Sequence, residues 1–316
     1  MKQPQVRPPP SAFGPPILIA GPTAVGKSEI ALLLAENIDG EIISVDSMQV
    51  YRGLDIGTAK PSRADRARVP HHLIDVVNLV EPFDAAKFAA QAHKAVAEIQ
   101  ARGRMPILCG GTGLYFKAFL DGLGDAPPAD ARLRIELEAT PLAELVRELE
   151  QRDPVTFARI DRKNPRRVIR AIEVIRLSGK PFSEQRAEWK SEVRSPKSEV
   201  FIGLTRGSAD LHMRINARVD RMFSDGLVEE TRQLLERGLA QNKTATQALG
   251  YRQVIEHLDG KRSLTETIDL VKLRTRQFAK RQMAWFRRQL KLEWIELKEG
   301  QSLGDVAALV KARLKA

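Results

Sequence analysis

Ile17-Leu18-Ile19-Ala20-Gly21-Pro22-Thr23-Ala24-Val25-Gly26-Lys27-Ser28 is the stretch on which the fold turns. Four apolar residues run straight into the spacing G-x-x-x-x-G-K-S, and a helical apolar run from Ile30 to Leu34 follows, so the order is strand, loop, helix. In that setting the two glycines let the backbone curl so that successive N–H groups point inward at phosphate oxygens, and the following helix turns its positive end to the same place. Lys27 adds a point charge, and Ser28 adds a hydroxyl suited to a magnesium ion. An ordinary glycine-rich turn would require neither the strand before it nor the helix behind it. The loop is expected to bind a polyphosphate, but it does not say which one.

Outward from this segment, the first 120 or so residues alternate between the two periodicities. Ile17–Ala20, Glu41–Val45 and Pro106–Cys109 are short β-rich runs, separated by helical stretches such as Lys27–Asn37 and Ala85–Arg102. Such alternation predicts a parallel sheet covered by helices, a P-loop NTPase-like α/β core with ligands at the carboxyl ends of the strands. The texture then changes. Asp125-Ala126-Pro127-Pro128 has a linker composition, Ala129 to about Lys190 is helical and charged, and Ser198–Thr205 returns to a strand. We therefore expect a leader at 1–16, a core at 17–124 and 198–316 whose later part is mostly helical, and a helical insertion at 125–197. No internal repeat is visible.

Composition narrows the class. The chain has 316 residues, 43% of them hydrophobic, enough for a sizeable core, and no apolar run approaches a membrane span. Residues 1–16 hold six prolines, two basic residues and no apolar h-region, so they read as a disordered leader and not as a signal peptide. The single cysteine, Cys109, forbids an intrachain disulfide and a Cys-rich zinc module, and it reads as a buried strand-end residue in a cytoplasmic protein. A formal charge of +11 and a pI near 9.9 permit a polyanionic partner without requiring one.

Two more motifs fall at strand ends. The second strand runs out into Ser44-Val45-Asp46-Ser47-Met48-Gln49-Val50-Tyr51-Arg52-Gly53, which places Asp46 beside the loop. The third runs into Gly110-Gly111-Thr112-Gly113-Leu114-Tyr115. Asp46 has three readings: a helix cap, a base that takes a proton from an incoming nucleophile, or a magnesium ligand. Thr112 is either a turn residue or part of a loop whose glycines let backbone amides approach a ligand. Arg214 and Arg218 share one helix face, which unaided reads as solvated. His71-His72 has no cysteine or carboxylate cluster at ligand spacing beside it, so structural histidines are favoured over a metal or acid–base pair.

Taken in order, these motifs resemble one family, the bacterial tRNA dimethylallyltransferases, which modify adenosine 37 next to the anticodon. The resemblance rests on Gly21–Ser28, Val45–Pro61 with its Asp55-Ile56-Gly57-Thr58-Ala59-Lys60 core, and Gly110–Tyr115. It extends through Asn164-Pro165-Arg166-Arg167, Gly250-Tyr251-Arg252-Gln253 and Arg276-Gln277-Phe278-Ala279-Lys280-Arg281-Gln282, spanning about residues 17 to 290. Val25 stands where many members carry a small residue or Ser, and the Pro-rich leader is extra.

The resemblance implies transfer of a dimethylallyl group from dimethylallyl diphosphate to adenine N6, with release of diphosphate. It assigns Asp46, Thr112 and Arg218 to catalysis, with Asp46 as base and Thr23 beside Thr112 in the reaction channel. The diphosphate falls to Gly21, Pro22, Thr23, Ala24, Val25, Gly26, Lys27 and Ser28, clamped by Arg214 and Arg218, with a magnesium ion at Ser28. Contacts to tRNA fall to Asp46, Ser47, Met48, Gln49 and Thr112, and in the insertion to Arg134, Arg166, Arg167, Val168, Ile169 and Arg170. Further contacts fall to Gln247, Ala248, Leu249, Gly250, Tyr251 and Arg252, and to Lys280, Arg281, Gln282, Trp285 and Arg287. A monomer is expected.

Nucleic acid has its own footprint. Between Asp269 and Glu293 there is no acid, while Lys272, Arg274, Arg276, Lys280, Arg281, Arg287, Arg288 and Lys291 are basic, interleaved with Phe278, Trp285 and Phe286. A one-signed run of this kind fits phosphate contacts, with the aromatics packed as core. Arg162, Lys163, Arg166, Arg167 and Arg170 form a second cluster, and together the two would grip an anticodon stem-loop whose adenine is flipped out of its stack. A small-molecule kinase on the same core gives the basic C-terminal half no role. A noncatalytic RNA-binding protein leaves Asp46 and Thr112 unexplained. An adenylate isopentenyltransferase would share the loop and the chemistry but prenylate a free nucleotide.

Overall fold

Four short β-rich runs of this chain become neighbouring strands of one sheet. The computed structural model describes residues 14–185 and 200–314. Leader residues 1–13, the last part of the expected helical insertion at 186–197, and Ser198 and Glu199 of the expected fourth strand lie outside the described residues. The strands are β1 (Ile17–Ala20), β2 (Gly40–Val45), β3 (His71–His72), β4 (Met105–Gly110), β5 (Phe201–Arg206) and β6 (Glu293–Leu297). Among the described residues they form one sheet in the order β3-β2-β4-β1-β5-β6, and every pairing is parallel. Every residue of β1 and β2 is buried, as a sheet with helices on both faces requires.

Register sets the site. Ala20 and Val45 both lie level with Gly110, so the residues that follow β1, β2 and β4 leave the sheet side by side. Gly110 is required there, because a Cβ would overlap the Val45 carbonyl oxygen. The helix Lys27–Ile38 connects β1 to β2 and buries Ile30, Ala31, Leu32, Leu34 and Ala35, and Ala85–Ala101 leads back towards β4.

The strands read from sequence appear at nearly their expected limits, with two additions. β3 is a two-residue edge strand, so the strand expected third is fourth in the chain. The expected mostly helical C-terminal part also contributes β6, whose Glu293-Trp294-Ile295-Glu296-Leu297 mixes charge with apolar residues because it lies at the sheet edge. His71 Nδ1 contacts the Val69 carbonyl at 2.8 Å and His72 Nε2 the Glu41 carboxylate at 2.6 Å, so both rings have partners within the fold. Cys109 is buried in β4, and burial pushes its thiol up to about 12.

The described residues fall into two compact units, 14–120 together with 200–314, and 121–185. The second is helical, with Ala131–Ala139, Leu142–Arg152, Pro154–Arg159, Pro165–Ser178 and Phe182–Gln185 packed on a core of Leu137, Leu145, Leu149, Val168, Ala171, Ile172 and Ile175. Asn164-Pro165 explains itself locally: the Asn164 side chain accepts from the Arg167 amide as an N-cap, and Pro165 occupies the first helical position. No helix among the described residues is long and apolar enough to cross a membrane.

Candidate active site

The loop after β1 directs its carbonyls outward onto cations. Lys27 Nζ donates to the Pro22 carbonyl at 2.7 Å, Arg214 Nε to Ala24 at 2.9 Å, and Arg206 Nε to Val25 at 2.8 Å. Ala24 is held in the left-handed region at φ 63, a conformation such neighbours over-determine. Burial lowers Lys27 to about 8, with Cys109 opposing the shift and Arg218 adding to it. Burial lowers Arg218 as well, against Glu29 and alongside Arg214. Lys27, Arg206, Arg214 and Arg218 thus gather at this strand end, with Asp46, Glu29 and Asp210 as nearby acids.

Asp46 and Thr112 are laced together at the adjoining strand ends. Asp46 Oδ1 accepts from the amides of Met48 at 2.8 Å and Gln49 at 3.3 Å, so the capping interaction exists, although it closes a turn and no helix follows. Both bonds fall on one carboxylate oxygen. Thr112 Oγ1 accepts from the Ser47 amide at 3.1 Å, and the Thr112 amide donates to the Val45 carbonyl at 3.2 Å. On the other side, Arg218 donates to Thr23 Oγ1 at 3.3 Å.

Thr23, Asp46, Thr112 and Arg218 all line one cavity of about 700 Å³. Its wall continues through Gln247, Ala248 and Leu249 to Arg252, Arg262, Arg274 and Arg281. A second cavity of about 540 Å³ is lined by Ala24, Gly26, Arg214 and Arg218. Arg218 and Met222 face both, so this arginine stands where the two spaces adjoin. The sequence placed Arg214 and Arg218 on one face, and the structure turns that face onto the loop.

The helix Leu264–Gln289 forms much of the basic wall. Its buried residues, Thr267, Val271, Thr275, Ala279, Gln282 and Phe286, recur every three or four positions, and Ser263 and Glu266 close a capping box at its start. Lys280, Arg281, Arg287 and Arg288 are exposed, while Lys272 pairs with Asp220 at 2.6 Å and Arg276 donates to Asn216 at 3.1 Å. The aromatics divide. Phe286 is core and Trp285 packs on Gly113, but Phe278 is exposed and lines the larger cavity, against the expectation that all three are core.

Several residues assigned to RNA contact are engaged inside the fold. Val168 is fully buried in the core of the helical unit, so its side chain packs and does not face a partner. Tyr251 is buried too, donating to Glu230 at 2.5 Å and accepting from the Gly57 amide at 3.1 Å, while Ala248 and Gly250 have almost no exposed surface. Arg134 makes a forked pair with the buried Glu173, at 2.9 and 3.1 Å. Arg170 binds the same carboxylate at 2.6 Å and the Pro127 carbonyl at 2.7 Å, which anchors the linker. The Gln49 amide accepts from Ser44 Oγ at 2.8 Å and donates to the Thr58 carbonyl at 3.2 Å. Met48, Leu249 and Ile169 are half-buried, whereas Arg166, Arg167, Gln247 and Arg252 are exposed.

Two positions outside the quoted motifs, Arg206 and Glu230, and Lys60 within the Val45–Pro61 motif carry structural weight with no role legible in the sequence. Arg206, at the end of β5, holds the Val25 carbonyl and an ion pair with Asp210 at 2.7 Å. Glu230 accepts from the Ile56 amide at 2.9 Å and also from Gly57, fixing the Asp55–Lys60 turn from a distant helix. Lys60 is almost fully buried between Asp55 at 2.5 Å and Asp75 at 2.6 Å.

Residues 49–289 match the family model described as IPP transferase. The chain belongs to that family. The span takes in Thr112, Arg214, Arg218 and the whole helix Leu264–Gln289, and opens just beyond Asp46. Among IPP transferase relatives, the chain is 46% identical over 281 residues to tRNA dimethylallyltransferase 1 of Citrifermentans bemidjiense, covering 89% of this chain and 91% of the relative. It is 42% identical over 302 residues to the tRNA dimethylallyltransferase of Pelotomaculum thermopropionicum, covering 94% of each. The crystal structure of the full-length tRNA isopentenylpyrophosphate transferase from Bacillus halodurans superposes with a TM-score of 0.69 at 40% identity, over 95% of this chain and 96% of that one. A eukaryotic dimethylallyltransferase captured acting on tRNA superposes with a TM-score of 0.77 at 29% identity, over 94% of this chain and 77% of that one.

Proposed function

We propose that this IPP transferase family member is a tRNA dimethylallyltransferase, moving the prenyl group of dimethylallyl diphosphate to N6 of adenosine 37 in the anticodon loop. One observation carries the reading: Asp46, Thr112, Thr23 and Arg218 share a cavity whose wall runs on into Arg252, Arg262, Arg274 and Arg281. Adenine N6 is a poor nucleophile because its lone pair is delocalised into the ring. As that pair forms the bond to C1 of the prenyl group, the C1–O bond breaks and its electrons leave with the diphosphate. The N6 proton passes to Asp46. Oδ1 already holds two amides, which orients the carboxylate and leaves Oδ2 for the proton.

Lys27, Arg214, Arg218 and backbone amides of the loop meet the charge that develops on the departing diphosphate; Pro22 has no N–H to offer and the Thr23 amide is already held by Gln282. The Ser28 hydroxyl is exposed at the start of its helix, and no group of three acidic, His or Cys ligands stands among the described residues. That donor set fits magnesium, which is commonly held by one or two protein oxygens together with substrate phosphates and water. Bound there, magnesium would neutralise charge on the diphosphate. The same reading takes the enzyme as a cytoplasmic monomer, with Arg166 and Arg167 adding RNA contacts from the helical unit.

Digestion of tRNA incubated with the enzyme and dimethylallyl diphosphate should release prenylated adenosine. The RNA surface has a separate test. Counterion release makes tRNA binding salt-dependent, so replacing Lys280, Arg281 and Arg287 with Ala should weaken it and flatten the slope of log K against log salt by roughly one unit per lost phosphate contact. Affinity for dimethylallyl diphosphate should stay unchanged. An unaltered slope would remove this helix from the RNA interface.

A further inference from the structure

Gln282 lies on the buried side of the helix Leu264–Gln289, 8% exposed, and each end of its amide holds a different loop. Its Oε1 accepts from the Thr23 amide at 2.9 Å, and its Nε2 donates to the Gly111 carbonyl at 2.9 Å. A Cβ on Gly111 would overlap that Nε2, so the side chain is pressed against the backbone it binds. Next to Gly111, Thr112 bonds to both Val45 and Ser47, the residues that flank Asp46. Next to the Thr23 amide, the Thr23 hydroxyl receives Arg218. One side chain therefore links the loop that meets the leaving diphosphate to the loop that brackets the base.

We infer that Gln282 is a positioning residue for prenyl transfer, setting the Thr23 amide against the Asp46–Thr112 pair, and is not an RNA contact. The inference rests on the proposed function, since it concerns the geometry of that transfer. Displacement requires the attacking nitrogen, the prenyl carbon and the departing oxygen to stand in line, and a misplacement of about 1 Å can cost on the order of 100-fold. Gln282 reaches the wall of the same cavity, but both ends of its amide are taken by backbone groups, so it acts through the backbone on either side of these atoms.

Two full-length variants test it, assayed for single-turnover transfer from dimethylallyl diphosphate to tRNA and for tRNA affinity in the same buffer. Gln282→Met keeps the length and removes both hydrogen bonds; transfer should fall roughly tenfold or more, with the tRNA dissociation constant within about twofold of wild type. Gln282→Glu still accepts from Thr23 but sets a carboxylate oxygen against the Gly111 carbonyl, and protonation restores a donor. Its rate relative to wild type should therefore rise as the pH is lowered through about 6 to 4. Side-chain packing alone gives no such pH dependence. A Met variant that transfers at the wild-type rate, a defect confined to tRNA affinity, or a Glu ratio flat with pH would each overturn the inference. If the Met variant does not fold, the Glu ratio decides. Wild type that transfers nothing to any tRNA would sink the proposed function itself, and this inference with it.

Discussion

Replacing Asp46 with Asn should lower single-turnover prenyl transfer by about a hundredfold or more, the scale of a lost general base, while the tRNA dissociation constant moves no more than a few-fold. The reason is geometric. Asn can present its carbonyl oxygen to the Met48 and Gln49 amides that now bond to Asp46 Oδ1, so the turn after β2 keeps its shape. The remaining position then holds an NH₂ group, which cannot take the N6 proton. A variant that transferred prenyl at a near wild-type rate would reduce Asp46 to the turn cap it also is.

Lys27→Ala should lower kcat/KM for dimethylallyl diphosphate on the order of 100- to 1,000-fold, as loss of a preorganised charge beside a departing oxyanion does. Ser28→Ala should weaken use of the same substrate and change the magnesium requirement. The pH dependence has a definite sign. Burial holds Lys27 at about 8 in place of 10.5, so its ammonium is present below that pH and is lost as pH rises through it. Wild-type kcat/KM should therefore decline above about pH 8, and the Ala variant should lack that limb. ATP should not be turned over. Steady ATP hydrolysis that depends on Lys27 would favour a kinase over a prenyltransferase.

What was legible in the sequence was whatever a short window could hold. β1, its loop and the helix Lys27–Ile38 could be read because a run of buried apolar residues, a glycine spacing and a helical period lie end to end. β6 could not, because an edge strand is covered on fewer sides and its glutamates break the pattern. The site shows the same division. Asp46 and Thr112 were visible at strand ends, whereas Arg206 reaches Val25 across 181 positions and Gln282 reaches Thr23 across 259. Neither residue belongs to a local motif that says where its side chain points. The basic run on Leu264–Gln289 was visible as charge, but only the packing shows that Lys272 and Arg276 face the neighbouring helix while Lys280 and Arg281 face out. In the helical unit, an arginine facing solvent and one bound to Glu173 look alike until the fold is known.

On the proposed function, the acceptor is an adenine presented by folded RNA. The most direct measurement offers labelled dimethylallyl diphosphate with two acceptors side by side, an anticodon stem-loop carrying adenine next to the anticodon and free AMP. Label should appear in the stem-loop, in a prenylated adenosine, with AMP left essentially unlabelled. Efficient labelling of AMP with the stem-loop untouched would contradict the proposed function and make this chain an adenylate isopentenyltransferase.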